Sequence, residues 1–60
     1  MKKQEFYTAK ELAEKLRVNI MTIYRYIKAG KLVAYKIGKD FRIKEKDFNK
    51  FIERAKTNGN

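Results

Sequence analysis

Basic side chains are concentrated in the middle of this sequence, as suits a polyanionic partner. Arg25 and Lys28 stand three residues apart, and Lys36, Lys39 and Arg42 follow at intervals of three. An arginine fork donates to two acceptors at once, while a lysine ammonium acts as a point charge. The groups they meet best are phosphate oxygens and, for arginine, the acceptor pair O6 and N7 on a guanine edge. Met21, Thr22 and Tyr24 lie just before Arg25. A methionine can touch a thymine methyl, and threonine and tyrosine hydroxyls commonly meet phosphates. Each residue also has a plainer reading. Thr22 can simply satisfy a helix start, Tyr24 and Tyr26 can pack at a core edge, and Lys28, Lys31 and Lys36 can be solvated charges.

The missing residue types exclude other chemistry. The sequence has no cysteine and no histidine. That removes disulfides, zinc knuckles, thiol nucleophiles and imidazole bases. No carboxylate pair or nucleophile–base pair stands at useful spacing, so an enzyme is not expected, nor is a cofactor or a metal. Sixty residues make one small domain, and a domain of that size buries only about 60% of the surface its unfolded chain exposes. No apolar run approaches the roughly 20 residues needed to cross a bilayer. Gln4-Glu5 follows the basic start where a signal peptide would turn apolar. The expectation is a protein of the cytoplasm, bacterial or encoded by a phage or plasmid, associated with the nucleoid and not with a membrane.

The charge is unevenly spread. Sixteen basic and seven acidic residues leave a formal charge of +9. Residues 20–44 carry seven of the cations against one acid, Asp40. A basic surface kept only for solubility would not concentrate its excess in this way. The pattern favours a polyanionic partner met by the central segment.

The elements that must position these groups follow from periodicity. Thr8 and Glu11 fit a capping box, and Ala9, Leu12, Ala13 and Leu16 fall on one helical face. Arg17-Val18-Asn19 is a break, with Val18 expected as a buried plug and Asn19 as the next helix's cap. From Ile20 to Ala29 the apolar positions Ile20, Ile23 and Ile27 share one side. Met21, Thr22, Arg25 and Lys28 share the other, and Gly30 supplies a left-handed stop. Two helices joined by a tight turn form a helix-turn-helix, a device that seats its second helix in the major groove of DNA.

Leu32–Ile37 and Phe41–Ile43, around the turn Gly38-Lys39-Asp40, read as a β-hairpin. On a two-residue period Phe41 and Ile43 face inward and Arg42 outward. A third helix over 45–55 places Phe48, Phe51, Ile52 and Ala55 at helical spacing to close the core. Phe6-Tyr7 is expected as an apolar lid or a short strand. The fold expected is mostly α with a β component. It is a winged helix-turn-helix of three helices, with a two-stranded hairpin wing between the second and third. The domain spans residues 1–56, and 57–60 form a disordered tail.

Several runs together resemble the excisionase-type branch of the MerR-like winged helix-turn-helix proteins. They are Phe6-Tyr7-Thr8-Ala9-Lys10-Glu11-Leu12-Ala13, Val18-Asn19, Thr22-Ile23-Tyr24-Arg25-Tyr26-Ile27, Gly30-Lys31-Leu32, Ile37-Gly38 and Phe41-Arg42-Ile43. The resemblance covers residues 6–53. It implies a second helix in the major groove and a wing on the flanking minor groove or backbone. By position, Met21, Thr22 and Arg25 match the outward face of the recognition helix. Tyr24 matches an aromatic near the phosphates, and Lys39 and Arg42 match the wing. Asn19 stands where serine is usual, and Lys44 where a proline commonly precedes the last helix. The branch includes recombination directionality factors and small phage and plasmid regulators. A recombinase or integrase is therefore an implied partner, and copies bound side by side on repeated sites an implied mode.

The expected function is sequence-specific binding of double-stranded DNA, as a recombination directionality factor of a mobile element or, alternatively, as a small transcriptional regulator. From other classes, a protein–protein adaptor with a basic face remains a reading of the same charge. RNA stacking modules expose aromatics on a sheet, and the inward reading of Phe41 argues against one here.

Overall fold

A computed structural model describes residues 5–56; the expected 57–60 tail lies outside the described residues. The elements run β1 (Phe6–Thr8), α1 (Ala9–Leu16), α2 (Ile20–Lys28), β2 (Tyr35–Ile37), β3 (Asp40–Lys44) and α3 (Glu45–Ala55). Three helices with a hairpin between the second and third make a winged helix-turn-helix.

The capping box at α1 is present in full. The Glu11 amide donates to Thr8 Oγ1 at 3.0 Å, and the Thr8 amide donates to Glu11 Oε1 at 2.9 Å. A cap of this kind contributes about 1 kcal/mol. At the far end the chain turns left-handed at Arg17, with φ 58°. The Val18 amide donates to Ala13 O at 2.9 Å and the Arg17 amide to Glu14 O at 3.2 Å. Together they close the helix in a Schellman motif. A side chain in that region costs roughly 1–2 kcal/mol that glycine would avoid.

The same closure ends α2, this time on glycine. Gly30 has φ 77°, the Lys31 amide reaches Tyr26 O at 2.9 Å and the Gly30 amide reaches Ile27 O at 3.0 Å. Between the helices, Asn19 Oδ1 accepts from the Met21 amide at 2.8 Å, as an N-cap should.

Val18 is not the plug. It is 37% exposed, because the left-handed turn at Arg17 swings it outward. Leu32 takes that place. It is buried with Leu12, Ile23 and Ile43 at the centre, joined by Ala9, Ala13 and Phe48. Burying each of the four large aliphatic residues is worth about 1.5–3 kcal/mol. Leu32 lies outside the sheet, because the Lys31 and Leu32 amides are both drawn to Tyr26 O. The expected strand over Leu32–Ile37 is therefore shorter and begins at Tyr35.

The sheet has three strands in the order β1-β3-β2, one more than the hairpin alone. Phe6-Tyr7 forms the extra strand, with Phe6 opposite Lys44, Tyr7 opposite Ile43 and Thr8 opposite Arg42. On the other side of β3, Tyr35 faces Arg42, Lys36 faces Phe41 and Ile37 faces Asp40. A two-residue loop, Gly38-Lys39, joins that last pair, with Gly38 at φ 68°. Glycine at the first loop position with positive φ is what a type II′ hairpin turn requires.

α3 starts without a side-chain cap at Lys44. Its first amide, Glu45 N, instead donates to Glu5 O at 2.9 Å, so the backbone entering β1 does what a capping side chain would. The expected apolar stripe of α3 is only half used. Phe48 is buried and Phe51 half-buried, whereas Ile52 and Ala55 are exposed, because α3 meets the domain mainly through β3 at its N-terminal end.

Candidate nucleic-acid interface

α2 is the centre of the candidate interface. Successive helical residues turn by about 100°, so Ile23, the buried residue of α2, sits nearly opposite Met21, Arg25 and Lys28. All three are exposed, Met21 by 59%, and Thr22 beside them is half-buried. No acid lies anywhere on α2. Arg25 and Lys28 also fall in its last turn, where the helix dipole favours positive charge. Four of the expected contact residues thus share one helix edge.

The two tyrosines flank that edge and lean on different supports. Tyr24 packs against Phe41 of β3, with ring centroids 6.0 Å apart. Tyr26 packs against Phe51 of α3 at 5.1 Å. α2 rests chiefly on α1, and these ring contacts add ties to the wing and to α3 beyond the buried cluster that Ile23 shares with Ile43 and Phe48. The wing side continues outward, because Lys36 Nζ lies 5.6 Å over the Phe41 ring. Tyr24, Phe41 and Lys36 form one continuous cluster from α2 to the hairpin. Tyr24 remains more than a third exposed, so its edge towards solvent stays available while its ring is held.

Sheet parity separates two residues expected to act together. Antiparallel partners point to the same face. Lys36, Phe41, Ile43 and Tyr7 therefore share the face that looks towards the helices. Arg42 shares the opposite face with Tyr35 and Thr8. Lys36 stands on the α2 side of the wing, Lys39 is exposed at its tip, and Arg42 is half-buried on the far side. Lys31, exposed after α2, lines a groove with Tyr26, Gly30, Phe51 and Arg54.

One feature escaped the sequence reading. Phe6, Tyr35 and Ile37 are exposed on the outer face of the sheet. The signal was present in the alternation of Phe6 with Tyr7. It became readable only once β1 was known to pair with β3.

Among the described residues, no group of three or more acidic side chains could hold a metal ion. No described helix is long and apolar enough to cross a membrane.

Comparison with known proteins agrees with this geometry. A family model described as "Helix-turn-helix domain" matches residues 6–56. Protein YvgK of Bacillus subtilis (strain 168) is 38% identical over 51 residues, which are 85% of this chain and 17% of that protein. A Mycobacterium tuberculosis (strain H37Rv) protein named "Putative DNA-binding protein Rv0500A" is 35% identical over 51 residues, 85% of this chain and 65% of that one. Its counterpart in strain CDC 1551 matches equally. The chain thus spans less than two thirds of the length of each of these relatives. No solved structure gives a significant match. With its two helices closed by paired Schellman turns and the family model covering nearly all of its length, the chain belongs to the helix-turn-helix domain family.

Proposed function

We propose that this chain is a sequence-specific binder of double-stranded DNA that lays the outer edge of α2 in the major groove and sets the hairpin tip on the adjacent backbone. The observation that carries the reading is the acid-free edge Met21–Thr22–Arg25–Lys28, held by a buried Ile23 behind it and a tyrosine on each flank. The mycobacterial relatives' name supports it.

The roles divide by chemistry. Arg25 donates to guanine O6 and N7. Met21 makes the apolar contact to a thymine methyl, and Thr22 donates to a base or phosphate beside it. Lys28, Lys36 and Lys39 neutralise phosphates, with the hydroxyl of Tyr24 between helix and wing. Arg42, on the far side of the wing, is left out of this set of contacts.

In vitro selection of bound duplexes followed by footprinting tests the whole reading. One recurring motif is expected, protected over a major-groove face. Arg25→Ala should then cost about 1–3 kcal/mol on the selected site and relax preference at one base pair. Equal loss on every sequence would make Arg25 a phosphate contact, and absence of any recurring motif would remove the claim of specificity.

The finer role rests on the run Thr22-Ile23-Tyr24-Arg25-Tyr26-Ile27 and the Ile37-Gly38 and Phe41-Arg42-Ile43 that follow it. We assign the chain as an excisionase-like directionality factor, bound in adjacent copies and working with an integrase. An integrase gene beside this one, and excision stimulated by adding the chain, would support that role. Repression of a neighbouring promoter without such stimulation would assign the regulator role instead.

A further inference from the structure

We infer that the outer face of the sheet is a second nucleic-acid site, built for the unpaired bases of a single strand. It is separate from the α2 edge and does not depend on the duplex reading. The pairing of β1, β3 and β2 brings Phe6, Thr8, Arg42, Lys44, Tyr35 and Ile37 onto one face. Phe6 and Tyr35 meet edge to face across the middle strand, with centroids 6.4 Å apart and planes at 89°. They are 36% and 42% exposed. Lys44 Nζ lies over one face of the Tyr35 ring, 5.4 Å from its centroid, and Arg42 is the direct register partner of Tyr35. Asp40, beside Ile37 at the hairpin end, is the one carboxylate among the paired residues of this face; at the other end Glu5, Glu45 and Lys46 line a groove with Phe6 and Lys44.

Exposed rings with cations between them are the equipment of single-strand recognition. Unstacked bases lie on the rings, and arginine or lysine meets the backbone that joins them. Other occupants fit less well. The cores of protein interfaces are depleted of charge, and here Arg42 and Lys44 sit at the centre of the patch. A second copy would bring a further +9 to the same place. A duplex keeps its bases stacked on each other and offers the rings no free face. The site also looks away from Phe41, whose ring leans on α2. The chain can therefore hold a duplex on one side and an unpaired strand on the other, as at a junction where strands have separated.

Fluorescence anisotropy with labelled oligo(dT) and oligo(U), each about ten nucleotides long, tests the site on the full chain at low salt. Both should bind. Tyr35→Leu, which keeps an apolar side chain on an edge strand, should weaken binding about ten-fold or more, the loss of one stacked base. Tyr35→Phe should restore it. Saturating the chain with one equivalent of unlabelled duplex should leave the oligonucleotide bound, and Arg25→Ala should not change its affinity. Equal binding of the two oligonucleotides supports recognition by stacking alone, and tighter oligo(U) adds a contact to the 2′-hydroxyl. Unchanged affinity in Tyr35→Leu, displacement by the duplex, or no binding at low salt would overturn the proposal. So would self-association of the chain that Tyr35→Leu abolishes, because the face would then belong to a second copy. Loss of duplex selectivity with single-strand binding intact would instead overturn the reading of α2.

Discussion

Raising the salt from about 50 to 200 mM should weaken binding to the selected duplex roughly 500-fold, along a log–log line of slope about −4.5. The slope follows from counting cations by face. Residues 20–44 hold seven, and two of them, Arg42 and Lys44, stand on the outer face of the sheet. Arg25, Lys28, Lys31, Lys36 and Lys39 remain to displace counterions. Each phosphate neutralised on B-DNA contributes about −0.9 to the slope. The measurement is an anisotropy titration at several salt concentrations, repeated with Lys36→Ala and Arg42→Ala. Lys36→Ala should flatten the slope by about one unit, whereas Arg42→Ala should leave it nearly unchanged. A slope near zero would mean that the basic face does not meet phosphates and would revive the adaptor reading. A flattened slope in Arg42→Ala would mean that the wing approaches DNA from the side opposite to α2.

Ile23→Ala should lower the melting temperature by roughly 15–25 °C, at 4–8 °C for each kcal/mol lost in a domain of this size. Ile23 is fully buried and is the buried residue of α2. Truncating such a side chain costs about 2–5 kcal/mol through lost transfer energy and the cavity left behind. Sixty residues at ordinary values hold only roughly 3–9 kcal/mol in all. The variant should therefore be largely unfolded at 37 °C, and duplex binding should fall with the folded fraction. Thermal unfolding followed by circular dichroism measures it. Val18→Ala is the control and should shift the melting temperature by only a few degrees, since that side chain is 37% exposed. Equal losses in the two variants would return Val18 to the place between the helices now given to Leu32.

The cluster of Tyr24, Phe41 and Lys36 connects these two results. Stability resides in the aliphatic centre, while the geometry of the interface depends on two ring contacts at its margin. The wing's strand β3 is anchored in that same centre by Ile43, which is buried in one cluster with Ile23 of α2.

Thr8 and Glu11, Asn19, Gly30 and Gly38 all do what their types and positions in the chain foretold, because caps and turns are decided by residues within a few places of each other. The outward edge of α2 was equally legible, since a helix converts spacing directly into faces. Three matters waited for the folded chain. Val18 left the core because the left-handed turn one residue earlier reoriented it. Ile52 and Ala55 stayed exposed because α3 meets the domain through its first turns and leaves its last apolar positions uncovered. The opposite sides taken by Lys36 and Arg42 followed from the register of the hairpin, and the display of Phe6 beside Tyr35 depended on β1 pairing with a strand more than thirty residues away. Local steric and hydrogen-bonding preferences act over a turn of chain. Which face a strand presents is settled only by the partner it finds, and that partner is chosen by burial of the whole.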